Sequence, residues 1–559
     1  MRRTANDNGV SVKAYAGTTG VILAMNINDD KRDGLLGFAI ERLSHRSGKT
    51  KFLSNFLSFD GVCEDENCAN DDKPCTSACF PIQSFRWSDY TVFPDTEYDY
   101  TIHPAYGDWH NPTLEAGPTV TVRTANAAQG EHRVLFNRAA AASQAFSGEF
   151  PDVVAAMSQR PIPPTFQLPP AARDWLTRGL RPQIVNFIGL AMDETWALDI
   201  AIYEYELAEI VQAVNEAFAR QANVRVVYHA KAHDDQTAEN ERNLGILPDN
   251  QKTARHPRNI FHDKFIVLSR IENGVRQPKM VLCGSTNFTE HGLHKQANVV
   301  HIVERTDVAR QYLDLFEVLF GGAGVAATRD YIDANDAMPD PAAPPALFVG
   351  FSPRSNLLDL HAFVTEIGRA RRDVLFCTAF DLHPLIDAAL LGAAGDGVLR
   401  YGLENKRTNI TGYHADRNAD FTVPALLPDG LEGWLKETNT LGNAEGDILI
   451  HTKIILVNFT SDEPIVISGS HNLSKSASES NDENYLIIRG NLDVADCYGC
   501  ELMRLYDHYR FRFHEREGAR SDGTPLTLKK DNSWTDPYYD NQSLRRLDRF
   551  LFAGENPPH

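Results

Sequence analysis

The sequence predicts an α/β protein in which two similar α/β/α halves follow an antiparallel β-sandwich. A pair of short motifs occurs twice, and each copy begins with His-x-Lys ahead of an apolar strand. Strand–helix–strand patterns precede both copies, which predicts parallel strand pairs with helices over the sheet faces. The first 128 residues differ, because they show short alternating strands and little helical periodicity.

These patterns divide the chain into domains. We expect the sandwich at residues 1–128, the first half at 129–332 and the second half at 347–515. Residues 333–346 contain four prolines and are predicted to link the halves. Residues 516–559 form a polar tail whose aromatic side chains indicate that it packs against the body. A chain of 559 residues is long enough for such an arrangement.

The internal repeat extends beyond the motifs themselves. Each half has the order strand, helix, strand before its motif: residues 198–203, 207–220 and 224–228 in the first half, and 374–380, 382–391 and 398–403 in the second. Because the order is the same, we predict that the halves are pseudo-symmetric and that their motifs meet at a shared interface. One active site would then lie between the halves.

The two motifs combine the same residue types at nearly the same spacing. His-x-Lys occupies residues 262–264 and Gly-Ser-x-Asn residues 284–287 in the first copy, with 451–453 and 469–472 in the second. Since one residue separates the His from the Lys, both project from the same face of a strand. A neutral imidazole among ammonium and amide donors suits the cleavage of an anionic phosphodiester. Either motif alone is weak evidence, because short matches occur by chance.

The duplicated pattern resembles the signature of the phospholipase D superfamily, His-x-Lys-x4-Asp followed by Gly-Ser-x-Asn. The second copy continues into Asn-Asp-Glu-Asn at residues 481–484, which is similar to the Asn-x-Glu-Asn stretch of the family's bacterial nucleases. Where the family usually carries the Asp, Ser269 and Asn458 stand here. Other branches, including the tyrosyl-DNA phosphodiesterases, lack this Asp as well. We therefore interpret the change as a subfamily trait.

The resemblance implies a metal-independent phosphodiesterase that forms a phosphohistidine intermediate and requires no cofactor for catalysis. His262 is the expected nucleophile and His451 the expected acid/base, although the sequence leaves this assignment open. The expected catalytic residues are His262, Lys264, Asn287, His451, Lys453 and Asn472. The expected supporting residues are Ser285, Ser470, Glu483 and Asn298, with Glu483 orienting His262 as an Asp orients the base of a hydrolase triad.

The substrate class is predicted less sharply. The likeness to nucleases and the basic Arg255 and Arg258 near His262 favour nucleic acid. A net charge of −20, however, argues against indiscriminate nucleic-acid binding. The first alternative is a phospholipase D acting on phospholipid head groups, although no interfacial amphipathic helix is evident. The second is a non-catalytic phosphate-binding protein in which Ser269 and Asn458 mark a decayed site.

Four cysteines crowd one acidic stretch of the N-terminal region: Cys63, Cys68, Cys75 and Cys79. Two states fit such crowding, a small structural zinc site or a pair of disulfides. The spacing departs from paired Cys-x2-Cys ribbons and favours neither.

A Tyr-x-Tyr-x-Ile run at residues 98–102 resembles the late strands of a fibronectin type III domain. Such a module either binds a partner protein or braces the enzyme, and bracing is our default. The N-terminus has no apolar signal region, and no run of 18 apolar residues occurs. We therefore expect no transmembrane segment and a cytoplasmic location, with export by a non-classical route left open.

Overall fold

A computed structural model describes residues 1–55, 57–60, 76–138, 144–157, 167–424, 450–517 and 527–558. The N-terminal region contains nine strands among these residues: β1 (Arg2–Asp7), β2 (Val10–Ala16), β3 (Val21–Ile27), β4 (Gly37–Ser44), β5 (Lys49–Phe52), β6 (Arg86–Asp89), β7 (Glu97–Asp108), β8 (Asn111–Leu114) and β9 (Thr119–Arg123). A 3₁₀ turn spans Asp29–Lys31.

Two antiparallel sheets are built from these strands. One has the order β1-β2-β3-β6 and the other β5-β4-β7-β8, with β9 also paired to β7. Alternate residues of β7 point inward, so that Tyr98, Tyr100 and Ile102 join the apolar core between the sheets. The predicted antiparallel N-terminal region is thus confirmed, whereas its likeness to fibronectin type III stays a prediction.

The first half is built around a seven-stranded sheet. Its strands are β10 (His132–Phe136), β11 (Trp196–Ile202), β12 (Asn223–His229), β13 (Lys252–Arg255), β14 (Lys264–Glu272), β15 (Val275–Gly284) and β16 (Val299–Val303). Its helices are α1 (Gln144–Glu149), α2 (Pro151–Met157), α3 (Pro170–Thr177), α4 (Leu180–Gly189), α5 (Ala208–Ala219), α6 (Asp235–Asn243), α7 (Thr306–Phe320) and α8 (Val325–Asn335), with a 3₁₀ turn at Asp249–Gln251 and a π turn at His291–Lys295.

The strand order of this sheet is β10-β16-β15-β14-β11-β12-β13, and only β11, β12 and β13 pair in parallel. Helices cover both faces because successive strand residues alternate between them. Ile266 and Leu268 of β14 pack with α4 and α5, whereas Phe265 and Val267 pack with α7. Helix α8 ends at Asn335, within the predicted linker.

The second half has an eight-stranded sheet. Its strands are β17 (Leu347–Ser352), β18 (Asp373–Thr378), β19 (Leu399–Glu404), β20 (Gly412–His414), β21 (Ala419–Thr422), β22 (Ile454–Val457), β23 (Ile465–Gly469) and β24 (Glu483–Arg489). Its helices are α9 (Leu358–Ile367), α10 (Pro384–Leu391), α11 (Lys475–Glu479) and α12 (Leu492–Glu517), with a 3₁₀ turn at Ala415–Arg417. The strand order is β17-β24-β23-β22-β18-β19-β21-β20, with β18, β19 and β21 in parallel.

The described part of the tail lies against the N-terminal sheets. It contains a 3₁₀ helix at Asn532–Tyr538 and α13 (Leu544–Phe552). Trp534 and Tyr538 are buried in the sandwich core, and the indole nitrogen of Trp534 donates to the carbonyl of Leu35 over 2.8 Å. These contacts connect the two ends of the chain.

Two further predictions from the sequence concern the cysteines and the absence of a transmembrane segment. Cys63, Cys68 and Cys75 lie outside the described residues, while Cys79 is exposed. Among the described residues, no group of three His, Cys, Asp or Glu side chains is placed to hold a metal ion. Within the same residues, no helix is both long and apolar enough to cross a bilayer.

A buried arginine of the sandwich connects it to the second half. Arg86 in β6 pairs with Asp507 of α12 at 2.7 Å and with Asp548 of α13 at 3.2 Å. The hydroxyl of Tyr401 also donates to Asp548, over 2.6 Å. Burial disfavours the charge of Arg86, but the two carboxylates offset that cost and raise the pKa of the guanidinium.

We predict that Arg86→Leu lowers the free energy of unfolding by about 1–3 kcal/mol, because it leaves the buried Asp548 and the partly exposed Asp507 without their cation. Chemical denaturation of the full chain measures this loss. Arg123→Leu is the matched control, since Arg123 forms an exposed pair with Asp95 on the same domain. Equal midpoints for the two variants would show that the buried pair does not stabilise the domain contact.

Candidate active site

The two histidines lie just before strands β14 and β22, and each is held by the opposite half. The backbone N–H of His262 donates to the carbonyl of Asp482 over 3.0 Å, and that of His451 donates to the carbonyl of Ala297 over 3.0 Å. Both acceptors belong to the segment that follows the other copy's Gly-Ser-x-Asn. This exchange brings the two imidazole centroids to 6.2 Å.

Each imidazole is also oriented through its Nδ1 atom. Nδ1 of His262 lies 2.6 Å from Oε2 of Glu483. Nδ1 of His451 lies 2.9 Å from Oδ1 of Asn298 and 3.1 Å from the carbonyl of Ser285. Because oxygen atoms occupy the Nδ1 side, Nε2 is the ring nitrogen that can face a substrate.

The two motif lysines are arranged alike. Nζ of Lys264 donates to the carbonyl of His262 over 2.8 Å, and Nζ of Lys453 donates to that of His451 over 2.7 Å. Each ammonium also lies near an aromatic ring, with 5.3 Å to the centroid of Tyr203 and 5.6 Å to that of Phe380. Both positive charges are therefore fixed beside the histidines.

The serines of Gly-Ser-x-Asn donate hydrogen bonds to the two residues that orient the histidines. The hydroxyl of Ser285 donates to Oδ1 of Asn298 over 2.8 Å, and that of Ser470 donates to Oε2 of Glu483 over 2.8 Å. All four side chains are buried. The structure thus brings the predicted supporting residues together around the two rings.

The asparagines of Gly-Ser-x-Asn have side-chain oxygens that lack a hydrogen-bond donor among the residues that the structure describes. Oδ1 of Asn287 and Oδ1 of Asn472 are buried and accept no hydrogen bond within the described part of the chain. A buried carboxamide oxygen without a donor is costly in a finished core. Each carboxamide therefore carries one acceptor that the described part of the protein leaves unsatisfied.

Burial and charge set the protonation of the site. Burial, reinforced by the ammonium groups of Lys264 and Lys453, lowers the pKa of His262 and of His451 well below the ordinary value. Burial lowers the pKa of Lys264 to about 8 and raises that of Glu483 to about 7. Near neutral pH the site accordingly contains neutral imidazoles beside a charged Lys264.

Steric constraint explains the glycine of each motif. A Cβ on Gly284 would lie 2.2 Å from the carbonyl oxygen of Val299, and one on Gly469 would lie 2.2 Å from that of Asn484. Gly284 also has φ of +146°. Only glycine allows the strand to approach its neighbour so closely just before the serine.

Ser269 and Asn458, which stand where the superfamily usually carries Asp, are part of the packing and hydrogen bonding of the sheets. Ser269 is fully buried in β14. Oδ1 of Asn458 accepts the backbone N–H groups of Arg371 and Arg372 over 2.7 and 3.1 Å, which ties the end of β22 to the start of β18. Neither role requires a carboxylate.

The two arginines expected to bind substrate are placed differently. Arg258 is exposed. Arg255 is only 2% exposed and forms a bidentate pair with Asp482, with 3.0 Å from Nε and 2.6 Å from Nη2. Because its charge is neutralised there, Arg255 supports the segment that holds His262 instead of presenting charge to a substrate.

Sequence reasoning missed some residues of the site. Tyr203 and Phe380 flank the histidines, with centroids 5.6 Å from the ring of His262 and 6.0 Å from that of His451. Both aromatic residues end the predicted strands that open the two halves, and this matching position was the available signal. A third missed residue is Asn137, whose buried side chain binds the main chain around Asn298. The sequence carries no signal for it, because its partners are main-chain groups.

Residues 188–320 match the family model described as "Cardiolipin synthase, PLD-like domain". The matched segment includes the first His-x-Lys and Gly-Ser-x-Asn and ends before the second copy. A PLD-like domain is thus supported for this part of the chain. No curated protein sequence matches the chain.

Solved structures show distant likenesses. A polyphosphate kinase from Porphyromonas gingivalis is 16% identical with a TM-score of 0.39, and the match covers 55% of this chain but only 42% of the kinase. A phosphatidylserine synthase from Haemophilus influenzae is 14% identical with a TM-score of 0.37, covering 67% and 90% of the two chains. Nuc, a phospholipase D family member from Salmonella typhimurium, is 19% identical with a TM-score of 0.21, and the match covers 25% of this chain and 86% of Nuc. Similarities this low reveal nothing about activity.

The close approach at Gly469 yields a test of the motif. We predict that Gly469→Ala lowers stability by about 1–3 kcal/mol, because the new methyl group forces the backbone of β24 to move. Thermal unfolding measures the change. Gly189→Ala is the matched control, since a Cβ there meets open space. A midpoint for Gly469→Ala equal to that of the control would refute the steric explanation.

Proposed function

We propose that this protein hydrolyses phosphodiesters of nucleic acids through a phosphohistidine intermediate, without a catalytic metal. One observation carries the proposal. The rings of His262 and His451 lie 6.2 Å apart, each oriented by an oxygen acceptor at Nδ1 and each beside an ammonium group. A phosphorus atom between the two Nε2 atoms can be attacked from one side while the opposite bond is protonated.

The proposed reaction has two displacements. In the first, the lone pair of His262 Nε2 forms a bond to phosphorus as the bond to the leaving oxygen breaks, and His451 gives that oxygen a proton. In the second, His451 takes a proton from water, whose oxygen attacks phosphorus and displaces His262. The bound phosphodiester anion favours protonation of His451 before the first step.

The partners of the two histidines support this assignment. The carboxylate of Glu483 can stabilise the positive charge that develops on His262 when it is phosphorylated. Asn298 offers His451 a neutral oxygen, so the proton of His451 is held less tightly and can be passed on. Lys264 and Lys453 would neutralise the non-bridging oxygens, with Asn287 and Asn472 as further donors. The catalytic lysines thus replace a metal ion in the proposal.

We further propose that the two halves arose by duplication and are pseudo-symmetric. The sequence of corresponding strands supports this, because β10-β16-β15-β14-β11-β12-β13 and β17-β24-β23-β22-β18-β19-β21 follow the same order. The exchange of hydrogen bonds at His262 and His451 is reciprocal, as a two-fold relation requires.

Two observations favour nucleic acid as the substrate. Half-buried aromatic rings, Tyr203 and Phe380, flank the histidines on both sides, and such rings suit stacking with bases. Exposed Arg258 adds local positive charge. The second candidate is a phospholipid, which the description of the matched family as cardiolipin synthase favours.

For the N-terminal sandwich we propose a bracing role. Arg86 and the buried Trp534 connect it to the second half and the tail. A separate partner protein would instead use its exposed surface. The fibronectin type III topology remains part of this proposal.

We predict that His262→Ala and His451→Ala each lower kcat by at least about 10³-fold, because each removes a group that makes or breaks a bond to phosphorus. The assay follows turnover of single-stranded DNA, double-stranded DNA, RNA and phosphatidylcholine vesicles in EDTA. His256→Ala is the matched control, an exposed histidine of the same loop region.

The substrate cleaved distinguishes the candidates. Loss of nucleic-acid cleavage in both variants, with the control active, supports the proposal, whereas cleavage of vesicles alone supports the phospholipase. Binding of phosphate without turnover supports the non-catalytic alternative. Loss of activity in EDTA that is reversed by adding a metal ion would contradict the metal-independent mechanism.

The protonation of the site predicts its pH profile. Because Lys264 must be charged and its pKa is lowered to about 8, kcat/KM should fall as pH rises through about 8. His262 must be neutral, which its lowered pKa favours, whereas Glu483 must be ionised and its pKa is raised to about 7, so kcat/KM should also fall as pH drops through about 7.

Substitution of the lysine tests this profile. In Lys264→Arg the guanidinium stays charged, so the residual activity should lose the alkaline limb near pH 8. Lys279→Arg, at an exposed lysine of the same half, should keep it. An unchanged alkaline limb in Lys264→Arg would assign that limb to another group.

A further inference from the structure

Asn137 is a buried carboxamide with an unusual set of partners. It follows edge strand β10, is 1% exposed, and uses both ends of its side chain. Nδ2 lies 3.2, 2.8 and 2.7 Å from the carbonyl oxygens of Gly292, Leu293 and Gln296 in and beside the π turn. Oδ1 accepts the backbone N–H of Asn298 over 2.8 Å.

These contacts connect Asn137 to the reacting histidine. Nδ2 of Asn298 donates to the carbonyl of Gly292 over 2.8 Å, the same carbonyl that Asn137 contacts. With Nδ2 bound there, Oδ1 of Asn298 faces the hydroxyl of Ser285 and Nδ1 of His451. Turning this amide around would place two oxygens together at Gly292 and an N–H donor opposite Nδ1 of His451, which would then keep only the longer contact, 3.1 Å, to the carbonyl of Ser285.

The second half shows why the first half needs such a device. Ser352 stands opposite Glu483 in the pairing of β17 with β24. Asn137 has the corresponding place in the first half. It comes directly after the antiparallel Phe136–Val299 pair and therefore stands opposite Asn298. Ser352 contributes one hydroxyl to two carbonyl groups, at 2.7 and 3.2 Å. A carboxylate has two equivalent oxygens and cannot be wrongly turned, whereas an amide can.

We infer that Asn137 is a positioning residue that fixes the orientation of the Asn298 amide and thereby keeps the proton of His451 on Nδ1, with Nε2 toward the substrate. Its role rests on the proposed function of His451 as acid/base. Asn137 itself does not touch the reacting atoms. Its loss should therefore lower kcat and leave KM nearly unchanged.

Replacement by a carboxyl group gives a specific test. In Asn137→Asp, an ionised carboxylate would face three carbonyl oxygens without a hydrogen to donate, while a protonated one would donate again. We expect kcat to fall about 10–100-fold at pH 8 and to recover partly, relative to wild type, as the pH is lowered to about 5.5. Asn137→Ala should show a similar loss without recovery, because it has no group to protonate.

A second measurement does not depend on turnover. Imidazole ¹⁵N NMR of histidine-labelled protein, assigned with His451→Asn, reports which nitrogen of His451 carries the proton. Wild type and Ser352→Ala should show protonation at Nδ1, whereas Asn137→Asp at pH 8 and Asn137→Ala should show a mixture of tautomers.

The two readouts separate the two proposals. If wild type cleaves no phosphodiester but the NMR signals change as expected, the proposed function fails and the positioning role stands. If the His451 signals of the Asn137 variants match wild type, or if the ratio of the Asn137→Asp kcat to the wild-type kcat does not depend on pH, the positioning role is overturned. Circular dichroism confirms that each variant is folded, and an unfolded Asn137→Ala leaves the near-isosteric Asn137→Asp to decide.

Discussion

The site depends on the exchange of backbone hydrogen bonds between the two halves. Each histidine donates its main-chain N–H to the segment that follows the opposite Gly-Ser-x-Asn, at Asp482 and at Ala297. The same segments supply Glu483 and Asn298, which orient the rings. Neither half therefore contains the whole cluster, because each imidazole is oriented by a side-chain oxygen of the opposite half.

The site concentrates positive charge among buried side chains, and burial disfavours ionisation of the carboxyls that could balance it. Two ammonium groups lie within a buried region together with the carboxyls of Glu483 and Asp263, whose pKa values burial raises to about 7 and about 8. Isolated buried ions are too costly to persist. The pair of Arg255 with Asp482 neutralises one further carboxylate beside His262. The remaining positive charge is thus available to an anionic ligand.

Local pattern made much of this predictable from the sequence. The apolar strands before and after each motif and the helices at 208–219 and 384–391 follow from periodicity and composition. The motifs predicted which side chains would converge, and Ser285, Ser470, Glu483 and Asn298 do lie around the rings. Contacts between distant segments were not predictable, because Asn137 binds carbonyl groups that every residue carries. The burial of Arg255 was missed for the same reason, since its partner lies in the other half.

The two motifs are nearly identical, yet the residues behind them make their histidines inequivalent. Glu483 accepts from Ser470 and Asn481 and can carry a negative charge next to His262. Asn298 stays neutral and has one correct orientation, which needs support that a carboxylate does not. A single difference, carboxylate against carboxamide, thus has two consequences. Positive charge is stabilised more strongly on His262, beside the carboxylate, than on His451, beside the carboxamide. The carboxamide also needs the amide of residue 137 in the first half, where the second half has the serine at 352.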